Sequence, residues 1–125
     1  FSSNFCARSS STIKTTDTAS DSGSAEVDLR GKWGGLILLG NAPTNAASPK
    51  EVEGITGYTY GGTDPADSSG VLRYVRVWHG GAVVGADNEI NGITFGGVGS
   101  GTTVDHCEVA YNADDGFEVR HAGRV

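Results

Sequence analysis

Methionine is absent from this sequence, proline occurs only 3 times and cysteine only 2. No long window carries apolar residues at helical spacing, and good helix formers are scarce, which argues against a helical fold. Basic residues are few as well: 9 Lys and Arg stand against 15 Asp and Glu, a formal net charge of −6. A nucleic-acid groove needs a basic surface that releases counterions, so no RNA or DNA partner is expected. The longest continuous apolar run, Leu36 to Leu39, is strand-sized. A spanning helix needs roughly 20 apolar residues, so no membrane span is expected. Cys6 and Cys107 lie far from any clustered Cys and His spacing, which excludes a zinc signature. They allow one disulfide, although Cys107 also suits a small buried hydrophobe.

Glycine is what the chain has in excess, 20 of 125 residues, against a usual share of roughly 7 %. The glycines alternate with short β-branched runs, a pattern that disordered tracts lack. One spacing recurs between them: apolar, two residues, apolar, one residue, apolar. Leu72-Val75-Val77, Ile90-Ile93-Phe95 and Val104-Cys107-Val109 follow it, and Trp33-Leu36-Leu38 is a fourth copy. A strand-sized unit repeated between Gly-rich turns is the signature of a β-solenoid. The expected fold is therefore all-β, with each triplet forming one strand of a parallel coil.

The intervals between copies predict which of them stack. Leu72 and Val104 are 32 residues apart, and Ile90 and Asp114 are 24 apart. Trp33 precedes Leu72 by 39 residues, an interval lengthened by an insertion at 41–70. On this reading Trp33, Leu72 and Val104 share one face, while Ile90 and Asp114 share another. A three-plus-two step is not strict alternation, so each rung must contain a bend or bulge. Arg73 and Arg76 fall at outward positions, where they are expected to pair with Asp105 or Glu108 one coil on. With Tyr74 they could instead form a strip for sugars or carboxylates. Residues 1–28 read as a polar Ser/Thr-rich loop or partial coil, and 29–125 as β-solenoid coils. Both ends lack caps, which suggests a piece of a longer solenoid.

A fifth copy, Asp114-Phe117-Val119, breaks the pattern by opening with a carboxylate. Asn112, Asp114, Asp115 and Glu118 gather three carboxylates and an amide around Gly116, an oxygen-rich set that suits Ca²⁺. Clustered carboxylates also raise one another's pKa, the arrangement from which an acid and a base are made. Asp114, Asp115 and Glu118 are thus the catalytic candidates, with Arg120 on the substrate. The structural alternative is that Asp114 bonds backbone amides at a corner. Asp105 and His106 are neighbours that point apart if both lie on a strand, so sequence alone does not make them a dyad. The run Gly96 to Gly101 lacks the Gly-Lys-Ser/Thr ending of a phosphate loop and reads as a tight turn.

Several segments also carry a family resemblance: GKWGGLILLGNAP at 31–43, YGGTDP at 60–65, SGVLRYVR at 69–76, NEINGITFGGVG at 88–99 and NADDGFE at 112–118. Over about residues 29–119 the chain resembles secreted bacterial surface or lipoprotein-like proteins of the marine Bacteroidetes type, which often carry a type nine secretion tail. The resemblance implies a right-handed parallel β-helix, a secreted or cell-surface location and a much longer parent chain. It implies no settled activity. The family usually continues with an aromatic-Gly-Gly stretch after Glu118, and Val119-Arg120-His121 departs from that. The expected role is an extracellular β-helix module for structure, adhesion or glycan contact. Its partner would be a glycan, or a neighbouring solenoid or chain at an uncapped end. The alternatives are a carbohydrate-active hydrolase or lyase, by analogy of fold, and another hydrolase activity.

Overall fold

The computed structural model describes residues 11–13, 28–86 and 88–120 of the chain. No helix occurs among them, as the missing helical periodicity requires. The strands fall into three tiers visited in turn. The first tier holds β1 (Ser11–Ile13) and β2 (Leu36–Leu39), after which β3 (Lys50–Val52) and β4 (Ile55–Tyr60) form an antiparallel hairpin. The second holds β5 (Val71–Arg73), β6 (Val75–Trp78), the small hairpin of β7 (Val83–Gly85) and β8 (Asn88–Glu89), and β9 (Ile93–Gly96). The third holds β10 (Thr103–Asp105), β11 (Glu108–Ala110) and β12 (Phe117–Arg120). Parallel pairing joins the tiers in three sheets, ordered β1-β6-β11, β10-β5 and β12-β9-β2.

The register matches the 32- and 24-residue intervals and corrects the 39-residue one. Leu72 pairs with Val104, and Val77 with Val109. Ile93 pairs with Phe117 and Phe95 with Val119, so the copy that begins at Asp114 does stack on the one that begins at Ile90. The Trp33 copy goes elsewhere. Leu36 pairs with Ile93 and Leu38 with Phe95, which places it beneath the Ile90 copy and not beneath Leu72. Trp33 itself stands outside any strand, donating Nε1–H to the Trp78 carbonyl at 2.7 Å. The insertion had hidden the true interval, 57 residues from Leu36 to Ile93.

In the Leu72 and Val104 rungs the bend is a residue in the left-handed region. Tyr74 (φ 54°) separates β5 from β6, and His106 (φ 50°) separates β10 from β11. Turning the chain there brings Leu72 and Val75 inward together, three residues apart, instead of on opposite faces. A second pair of such corners follows at His79 (φ 63°) and Tyr111 (φ 54°). His106 lies at the corner and not on a strand, so the condition for pointing apart fails, and its Nδ1 lies 2.6 Å from Asp105 Oδ1. Arg73 and Arg76 do meet their expected partners, at 3.8 Å from Asp105 and 3.6 Å from Glu108.

The core runs through the middle tier. Leu72, Val75, Val77 and Ile93 are its fully buried side chains, joined by Leu38 and Phe95. Each such side chain stabilises the fold by about 1.5–3 kcal/mol relative to exposure. Among the described residues only the middle tier has a tier on both sides, which is why the largest fully buried side chains belong to it. Cys107 packs against this core, with Sγ 3.7 Å from the Leu72 carbonyl and 3.6 Å from that of Asp105. Cys6, the other half of the one disulfide the sequence allows, lies outside the described residues.

Candidate functional site: a groove on the outer face of one sheet

Alternation along β2, β9 and β12 sends Leu36, Leu38, Ile93, Phe95, Phe117 and Val119 inward and their neighbours outward. The outward set is Ile37 and Leu39 from the first tier, Thr94 and Gly96 from the second, and Glu118 and Arg120 from the third. All six line one groove of about 180 Å³. The β3–β4 hairpin supplies one wall through Val52, Glu53 and Tyr60, and Asn88 to Asn91 supply another. Asp114 and Asp115 close the end at the bend before β12.

The hairpin can reach the sheet because Gly96 has no side chain. A Cβ at Gly96 would fall 2.8 Å from Tyr60 Cγ, so the Tyr60 ring lies directly over that glycine. Charge holds the wall further up. Arg120 Nη2 reaches Glu53 at 2.7 Å and Glu118 at 2.6 Å, and Nε donates to the same Glu118 oxygen at 2.7 Å. The hydrogen bond from Glu118, reinforced by its charge and that of Glu53, raises the Arg120 pKa further above its already high ordinary value. The other Glu118 oxygen, Oε2, accepts from Asn91 Nδ2 at 3.0 Å.

The sequence-derived candidates divide accordingly. Asp114, Asp115, Glu118 and Arg120 all face the groove, and the bend at 113–114 is what allows two consecutive Asp residues to do so. Asn112 does not join them. Its Nδ2 donates to the backbone carbonyls of Asp114 at 3.0 Å and Asp115 at 2.8 Å, so it shapes the turn. The corner role expected of Asp114 therefore belongs to Asn112, while Asp114 and Asp115 are exposed. Among the described residues, no three His, Cys, Asp or Glu side chains gather as a metal ion would need. Sequence reading missed Glu53, Tyr60, Asn88, Glu89, Asn91 and Thr94. The outward alternation of Ile93-Thr94-Phe95 was a usable signal for Thr94, but nothing local pointed to the hairpin.

The family model for a pectate-lyase-like β-helix domain matches residues 14–123. No curated protein and no solved structure matches the chain.

Proposed function

The chain belongs to the pectate-lyase-like β-helix domain family, and from that premise we propose that it is an extracellular polysaccharide-contact module. Its tiers are coils of a right-handed parallel β-helix, and its glycan lies in the groove over β2, β9 and β12. The observation that carries this reading is the convergence of outward residues from all three tiers on one groove. Ile37 and Leu39 offer apolar floor, while Asn88, Thr94 and the Glu118–Arg120 pair offer polar edges. That mixture is what sugar rings, with apolar faces and hydroxyl rims, require. The resemblance over 29–119 supports secretion or surface display.

Affinity electrophoresis through gels containing neutral, amino and acidic polysaccharides tests the reading. At least one gel is expected to retard the protein, and Asn88→Trp, which puts a bulky ring on the groove wall, is expected to abolish the retardation. Mobility unchanged in every gel would remove the glycan role.

A lyase or hydrolase is the second reading, favoured by Asp114, Asp115, Glu118 and Arg120 facing one groove. Under it, incubation with the retarding polysaccharide releases new chain ends, and Asp115→Asn stops the release. Binding without release leaves a contact module.

The third tier supports a further contact, with a neighbouring solenoid or chain. Val104, Phe117 and Val119 are 45, 47 and 53 % exposed, whereas their partners on the second tier, Leu72, Ile93 and Phe95, are 1, 0 and 6 % exposed. A strand tier with the same spacing would cover them as the third covers the second.

A further inference from the structure

Among the described residues, five carboxylates line the groove, Glu53, Glu89, Asp114, Asp115 and Glu118, against the single cation of Arg120. That cation is already engaged by Glu53 and Glu118. Glu89, Asp114 and Asp115 meet no cation among the described residues. Exposed carboxylates alone describe nothing more than a solvated surface. Asn91 adds an independent observation. It is 8 % exposed, lines the groove and donates from Nδ2 to Glu118, yet among the described residues its Oδ1 has no hydrogen-bond donor. Buried acceptors are nearly always satisfied, so one left without a donor at a groove wall points to a donor that arrives with a ligand. The space, about 180 Å³, far exceeds the roughly 10–15 Å³ that a water needs. It suits a sugar residue better than a lone ion.

Resting on the glycan reading of this groove, we propose that its ligand is a chain of amino sugars with free ammonium groups, and that uronate chains are rejected. Ammonium groups bring both what Glu89, Asp114 and Asp115 lack and what the Asn91 carbonyl lacks: positive charge and N–H donors. A uronate brings a carboxylate to a wall that is already acidic, and like-charge juxtaposition is how an interface excludes a wrong partner. The same charge pattern speeds the approach of a polycation and slows that of a polyanion.

Isothermal titration of the intact chain with three tetrasaccharides tests this: tetraglucosamine, its fully N-acetylated form, and tetragalacturonate with and without calcium. Tetraglucosamine is expected to bind at least about tenfold more tightly than either of the others, with affinity falling as salt rises. The double variant Glu89→Gln, Asp115→Asn removes two exposed charges without touching the core and is expected to weaken that binding roughly tenfold or more. Equal or tighter binding of the acetylated form, tetragalacturonate binding directly or through calcium, or indifference to the double variant would each overturn the ammonium proposal while leaving a glycan site. Binding of none of the three overturns it too, and polysaccharide gels that also show no retardation remove the glycan reading beneath it.

Discussion

Tyr74 and His106 occupy the same corner on consecutive tiers, both in the left-handed region, with ring centroids 4.7 Å apart and stacked. His79 and Tyr111 repeat the arrangement at the next corner, 5.5 Å apart. A non-Gly residue held in that region costs of order 1–3 kcal/mol and persists only where its surroundings compensate. Stacked rings contribute about 0.5–1.5 kcal/mol beyond their burial. The strained corner and the ring ladder are therefore coupled: the backbone aims the ring, and the ring partly offsets the backbone.

This coupling separates two substitutions at Tyr74. Tyr74→Ala keeps the strain and loses the ring, whereas Tyr74→Gly loses the ring and relieves the strain. In urea denaturation the Gly variant is expected to be the more stable by about 1 kcal/mol. The reverse order would mean that the corner is not a source of strain.

Leu72 and Val104 hold one repeat position on successive tiers, in register, yet one is buried and the other half open. Leu72→Ala is expected to cost about 2–5 kcal/mol. Val104→Ala is expected to cost under ~1 kcal/mol in dilute protein, and more where a neighbouring chain covers the third tier. Denaturation at two protein concentrations, with light scattering, distinguishes these cases.

Asn112 ties the turn that presents Asp114 and Asp115. Asn112→Ala removes two hydrogen bonds and is expected to destabilise by about 1–2 kcal/mol. Asn112→Asp should be worse, because it turns acceptor oxygens toward the carbonyls of Asp114 and Asp115. Thermal melts of the two variants side by side would show the order.

Calcium tests the oxygen-ligand expectation directly. Both Glu118 oxygens are engaged by Arg120 and Asn91, and Asn112 is committed to the turn. The melting midpoint is expected to stay within about a degree between calcium and chelator, since a ligand that binds the folded form well must raise it. A clear rise with calcium would show that the Asp114–Glu118 set closes on the ion.

Asp28 offers a pH readout. The side-chain hydrogen bond from Arg30, with its backbone amide, lowers the carboxyl pKa from 3.8 to about 2. Because the folded value is the lower one, the contribution is present above about pH 4 and is lost as pH falls through about 2. Asp28 is fully exposed, so the site reports titration more than stability. Following its carboxyl carbon by NMR should show ordinary carboxylate behaviour restored in Arg30→Ala.

Much of the fold was legible because an inward spacing is a property of one short piece of backbone. Leu72-Val75-Val77 and Val104-Cys107-Val109 announce their own strands, and the constant 32-residue interval announces their stacking. Trp33 misled because the excursion at 41–70 changed the interval without changing the pattern. Of the site, Asp114, Asp115, Glu118 and Arg120 were visible as a break in the repeat. Asn91 was not, because an amide between two apolar repeat positions looks like ordinary turn chemistry.

The sequence by itself determined the rung: its length, its inward residues and the need for a bend after two of them. Which rungs lie on which was decided only by the tertiary structure, where Leu36, Ile93 and Phe117 align in one sheet. Tertiary structure also decided that there is a groove. Arg120 meets Glu53 across 67 residues of chain, and Tyr60 lies on Gly96 because that position has no side chain. Neither contact has a local signature. Strand spacing is set by steric and solvation rules within a few residues, whereas a groove exists only where distant segments pack against one face.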